Sequence, residues 1–237
     1  MSLDVVAAIL LILVPIAFNV AFFELGRTFH YPSILRKEPD EILRRFVAGG
    51  PGLILRWEAL LLSALLMLPL AALLAVVLGA APALTTLSVV VGASAALVQA
   101  LGLVRWLFAV PELARRYVAA PEGREGDASR EAVEVVFTTL HRLFGVGIGE
   151  HLGYLFTGLW TLLVSASILS TTVLPIWLGI VGILIAIALL IGTLEFVGPN
   201  EPHGWHLAGT VVPIAYIAWS AWLIALGVLL LWPDTRA

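Results

Sequence analysis

The sequence predicts an all-α polytopic membrane protein: six transmembrane helices, with further helices lying at one membrane interface. Three observations carry that expectation. Of the 237 residues, 61% are hydrophobic, and the mean hydropathy is +1.04. Only 12% are charged, where a soluble domain carries about 25%. Six apolar runs are long enough to cross about 30 Å of hydrocarbon, which takes roughly 20 helical residues. Backbone groups in lipid must bond within their own segment, so each run reads as a helix.

The first run, Val5–Phe23, follows an N-terminus with no basic leader, an early Asp4 and no small-residue cleavage site. It therefore reads as a retained span rather than a signal peptide. The remaining spans are Leu53–Leu78, Leu84–Val110, Phe144–Leu169, Leu174–Val197 and Leu207–Trp232. Turn residues separate several of them: GGPG at 49–52, GAAPA at 79–83 and GPNEPHG at 198–204. A surface helix is expected from Asp40, taken as its N-cap, with Ile42, Phe46 and Val47 opposite Arg44 and Arg45. A second is expected from Ser129 to Phe144, after a polar hinge over 111–127. The whole chain, 1–237, reads as one transmembrane domain.

Charge sets the orientation. Of 13 basic residues, only Arg236 lies on the side that receives both termini. Of 16 acidic residues, only Asp4 and Asp234 do. All five histidines fall on the basic side. The positive-inside rule makes that side cytoplasmic and both termini extracytoplasmic, in a plasma or bacterial inner membrane. A net charge of −3 without a basic arm excludes a nucleic-acid partner. The absence of cysteine excludes disulfides, thiolate metal sites and cysteine nucleophiles. Serine-nucleophile motifs and phosphate-binding glycine loops are also missing.

The ionisable groups concentrate at one level. Glu24 closes the first span and Arg56 opens the second. Arg105 lies near the end of the third, Glu150 and His151 near the start of the fourth, and Glu195 closes the fifth. Arg27, His30 and Tyr31 follow the first span directly. Pairing Glu24, Glu150 and Glu195 with Arg27, Arg56 and Arg105 would balance three charges against three. A structural ion-pair network fits this composition as well as a catalytic one. Deeper lie Asn19, Gln99 and Tyr216, either as interhelical hydrogen-bond partners or as the lining of a cavity.

GLILRW at 52–57 and GLVRW at 102–106 form a short internal echo. Each Arg-Trp pair reads either as an interfacial anchor with a snorkelling arginine or as an inward counter-ion. The fourth span carries Gly145, Gly149, Gly153, Thr157, Thr161 and Ser165 at four-residue intervals. Such a ladder lets another helix approach closely. Gly145, Gly149 and Gly153 are accordingly the place for a partner helix or a second copy.

HYPSILR at 30–36, RW at 56–57, GLVRW at 102–106 and GEHLGY at 149–154 together resemble a bacterial family of six-helix membrane proteins of unknown function. The resemblance covers nearly the whole chain. It implies six spans and assigns no activity and no catalytic residue.

The leading expectation is a cytoplasm-facing polar pocket that binds, or transforms, an amphiphilic ligand of the inner leaflet. Glu24, Arg27, His30, Tyr31, Arg56, Gln99, Arg105, Glu150, His151 and Glu195 are its candidate residues. Arginines would suit an anionic head and the apolar walls a membrane-lipid tail. In an enzyme, His151 or His30 would be the general acid or base, oriented by Glu150 or Glu24. Two alternatives stand beside it: an accessory subunit of a larger membrane complex, and a haem or metal protein using His30, His141 and His151. No patterned metal motif is present.

Overall fold

The structure, a computed structural model, describes residues 2–201 and 203–232. Arg236 and Asp234, counted above in the charge asymmetry, lie outside the described residues. Among the described residues every regular element is helical. The first pass is α1, Leu3–Phe29. The second is α2, Pro39–Leu65, continued by α3, Met67–Leu78. The third is α4, Pro82–Val104, followed by α5, Ala109–Ala119. The fourth joins α6, Arg124–Leu140, a π-helical segment His141–Leu152, and α7, Gly153–Ser170. The fifth is α8, Ile176–Gly192, and the sixth is α9, His206–Leu231. Five of these passes contain helices long and apolar enough to cross a membrane. The fifth has 17 residues, at the short end of the spanning range.

The passes pack in chain order. α1 meets α2 and α3, α3 meets α4, α4 meets α7, α7 meets α8, and α8 meets α9. Contact of α9 with α1 closes the ring. Short connections force consecutive spans to be antiparallel neighbours, and the closing contact then buries an inner face of every pass. Asn19 reinforces this seam, donating to Ser220 Oγ at 2.9 Å and to the Pro15 carbonyl at 2.7 Å.

Several boundaries differ from those expected. α1 runs past Phe23 and ends at His30, which adopts φ 57° and closes the helix through hydrogen bonds to Gly26 and Leu25. Asp40 is not an N-cap. The cap position is Glu38, Pro39 opens the helix, and Asp40 accepts from Arg44 at 2.5 Å. GGPG does divide the surface helix from the span: Gly50 takes the non-helical φ 57°, ψ −160° before Pro51, so α2 is two helices meeting at a kink there.

The third span stops at Val104 instead of Val110. The chain turns over 105–108, with Ala109 and Val110 both donating to the Arg105 carbonyl. The hinge expected over 111–127 is largely the helix α5, and the break narrows to 120–123, where Gly123 takes φ 91°. Glu195 lies in the turn after α8, not inside the fifth span.

Two cores result. One fills the ring at the end bare of charge, around Leu11, Leu70, Trp160, Trp219 and Trp222. The other lies under the charged end, where the close of α1, the start of α2, α5 and α6 converge on Phe29, Phe46, Trp57, Trp106 and Phe137. Trp57 and Trp106, from the two halves of the Arg-Trp echo, stack with ring centroids 4.5 Å apart and an interplanar angle of 5°. The small-residue ladder is filled within this chain. A Cβ at Gly102 of α4 would lie 2.6 Å from Gly149 Cα, Gly145 abuts Arg105, and Gly153 abuts Gln99. Backbone contact of this kind requires glycine on both sides.

Candidate functional site

The charged end separates into an outer and an inner group. Outside, Glu24 pairs with Arg27 at 3.2 Å and with Arg56 at 3.8 Å. In the inner group the more buried acids Glu150 and Glu195 are reached from the surface by Arg36, at 3.0 and 3.6 Å, whose guanidinium lies 4.5 Å from the Phe196 ring centroid. Arg36 belongs to the 3-10 turn Ser33–Arg36 between α1 and α2. It therefore ties that turn to both the π-helical segment and the turn after α8. The symmetrical pairing of three acids with Arg27, Arg56 and Arg105 does not occur. Arg36 takes two of the acids, and Arg105 forms no salt bridge among the described residues.

Arg105 is 7% exposed. It donates to the Gly102 carbonyl and lies 5.1 Å from the Trp106 ring centroid. Its Nε is buried without an acceptor. A Cβ at Gly145 would come within 2.7 Å of its guanidinium, so the glycine makes the space it occupies.

Tyrosines complete the inner group. Tyr31 faces the charges of Glu150, Arg105 and Arg36. Tyr154 of α7 faces Glu150, Glu195, Tyr31 and Tyr216, and its ring is 5.9 Å from that of Tyr216 in α9. Tyr31, Tyr154 and Tyr216 are each surrounded by the bundle, yet none is fully buried. Gln99, also half-buried, donates to Thr157 Oγ1 at 3.0 Å. Burial, reinforced by Glu150 and opposed by Arg105 and Arg36, pushes the Tyr31 phenol up to about 12. It keeps its proton and can donate. Burial and the neighbouring Glu150 raise the Glu195 carboxyl above its ordinary value, against the pull of Arg36. Burial works against the Arg36 charge, but Glu150 and Glu195 outweigh it and raise its proton affinity.

The histidines do not come together. His30 is exposed at the end of α1. His141 is buried, stacked on Phe137 at 5.6 Å and set edge-on to Trp106 at 6.5 Å. His151 places Nδ1 2.7 Å from the Thr193 carbonyl, which fixes a proton on Nδ1 when the ring is neutral and presents Nε2 as the acceptor. Among the described residues, no group of three or more His, Cys, Asp or Glu is arranged to hold a metal ion. His30, His141 and His151 therefore form no shared three-ligand metal site among the described residues.

Of the expected site residues, Tyr31, Gln99, Arg105, Glu150, His151 and Glu195 belong to the inner group or border it. Glu24, Arg27 and Arg56 form the outer ion cluster, and His30 is a helix terminus. Arg36, Tyr154 and Thr157 join this group through contacts that the ten candidate residues did not include. Arg36 had a signal: it closes the HYPSILR segment. The inner group is built around the π-helical segment His141–Leu152, which carries Glu150 and His151. Wider π turns recur at functional sites because they re-aim side chains.

A domain family of unknown function, DUF4386, matches residues 6–231. The chain belongs to the DUF4386 family. No curated protein and no solved structure matches it. Like the sequence resemblance, family membership fits an uncharacterised membrane family and brings no activity to this DUF4386 protein.

Proposed function

We propose that this protein lies in the bacterial inner membrane with its charged end in the cytoplasm, and that the inner group at that end binds an amphiphilic ligand of the adjacent leaflet. The orientation rests on the distribution of 13 basic residues, of which only Arg236 is placed opposite the rest. The binding role rests on the convergence of three tyrosines that are enclosed but not fully buried, Tyr31, Tyr154 and Tyr216, around Glu150 and Arg36. Protonated phenols with apolar ring bodies suit a ligand whose head is polar and whose tail is not.

The Glu195 carboxyl, its proton affinity raised by burial and Glu150, is the group suited to exchange a proton with such a ligand.

Orientation is tested in the cysteine-free chain. In intact cells, Ala81→Cys should react with an impermeant thiol reagent and Glu122→Cys should react only after lysis. The reverse pattern overturns the orientation. Binding is tested by mass spectrometry of lipids retained on purified protein. Tyr154→Phe combined with Tyr216→Phe should lower retention of a specific amphiphile at least severalfold. Equal retention by the folded double variant removes the inner group as the site.

A further inference from the structure

We propose that Arg105, with the apolar recess beside it, forms a lipid-side portal to the inner group, and that it receives a single negatively charged head, a carboxylate or phosphodiester, carried on an acyl chain. This rests on the amphiphile-binding reading above and adds to it the charge of the ligand and its path.

Three observations carry the inference. Arg27, Arg36, Arg56 and Arg142 each lie against a carboxylate. Arg105, far more buried than any of them, has none among the described residues, and its Nε lacks an acceptor. A guanidinium withdrawn from water without a counter-ion is strongly unfavourable, and an anion arriving at it relieves that cost.

Arg105 also forms one wall of a recess of about 150 Å³, whose other walls are Val104, Phe108, Ala109, Leu140 and Phe144. These five are apolar, so the recess accepts chain atoms. Phe108, 73% exposed, stands at its rim on the outer surface of the bundle, where acyl chains lie.

Finally, the Arg105 guanidinium packs against Gly145 of the π-helical segment that carries Glu150, so the recess and the inner group meet at this one side chain. The recess exists because the helix breaks at 105–108 and faces the wide π-helical turn across Gly102 and Gly149.

The local contacts suit a single anionic head: Arg36 is already met by two carboxylates, whereas Arg105 has no carboxylate against it among the described residues. A guanidinium fork matches the paired oxygens of a carboxylate or a phosphodiester. A second negative charge would lie unmatched against apolar walls.

The test uses the full chain in neutral detergent and native mass spectrometry, with oleate, phosphatidylglycerol and uncharged oleyl alcohol as probes. Wild-type protein should retain one or both anions at least tenfold more than the alcohol, and the anion retained identifies the head. Arg105→Gln should lose that preference. Equal retention of anions and alcohol by wild type, or an undiminished preference in folded Arg105→Gln, overturns the inference. Should Arg105→Gln fail to fold, Ala109→Phe, which fills the recess and leaves Arg105 in place, decides: loss of anion retention supports the portal, and unchanged retention overturns it.

The two readings separate in this experiment. If wild type retains none of the probes, both fail. If retention depends on Tyr154 and Tyr216 but not on Arg105 or Ala109, the inner group stands and the portal falls.

Discussion

GLILRW and GLVRW differ by one residue in length and share the sequence Leu-x-Arg-Trp only loosely, yet their tryptophans meet and their arginines part. Trp57 and Trp106 are fully buried and stack on each other. Arg56 has a side chain 37% exposed and shares Glu24 with Arg27. Arg105 is buried and forms no salt bridge among the described residues.

The helix accounts for the difference. Arg56 lies in the part of α2 that follows the Gly50 kink, where successive residues point about 100° apart. A buried Trp57 therefore leaves Arg56 at the edge of the packed face. Arg105 lies where α4 has just ended. The chain tightens there, with Trp106 and Leu107 donating to Leu103 and Val104, and Arg105 and Trp106 are both buried. The same dipeptide thus presents a partly exposed, ion-paired arginine within a helix and a buried arginine where a helix ends.

The sharpest way to break this comparison is to remove both charges. Arg105→Met keeps much of the side-chain volume and eliminates a buried, uncompensated cation. It should raise stability by about 1–4 kcal/mol, as replacement of poorly compensated buried charges often does, while abolishing the preference for an anionic ligand. Thermal melts in detergent measure the first effect. A lower melting temperature would mean that Gly102 and Trp106 already satisfy the guanidinium.

A smaller effect concerns Arg36, the cation that holds the acids expected for Arg105. Glu195, its side chain 12% exposed, has a carboxyl raised in the folded state by burial and by Glu150. Its contribution to stability is therefore fully present below the ordinary carboxylate value of about 4.3. It is lost as pH rises through the raised folded value. Glu195→Gln should flatten that part of the stability profile. Arg36→Gln removes the cation that opposes the shift, so it should extend the loss to higher pH. An Arg36→Gln profile identical to wild type would indicate that Arg105 has turned to take over the acids.

The smallest effect belongs to the outer arginine. Arg56→Met should change stability by no more than about 1 kcal/mol, because exposed ion pairs contribute little. Unequal effects at 56 and 105 sharpen the contrast, and equal ones would dissolve it.

By itself the sequence determined the all-α class, the number of passes and the end at which ionisable groups collect. These follow from hydropathy, run length and charge, which act locally along the chain. It also supplied Tyr31, Gln99, Arg105, Glu150 and Glu195 as residues of that end. Tertiary structure decided their partners. Glu150 and Arg36 are separated by 114 positions, and no helical period reports on such a pair. The ladder from Gly145 to Gly153 announced a close helix approach, and only the fold assigned α4 as the helix that fills it. Likewise, a hydrophobic run continues smoothly through Val104 and Phe108, so composition extends the third span to Val110. The break at Arg105 lies against the π-helical segment, where Gly102 and Gly149 bring two backbones into contact and the guanidinium takes the space left by Gly145.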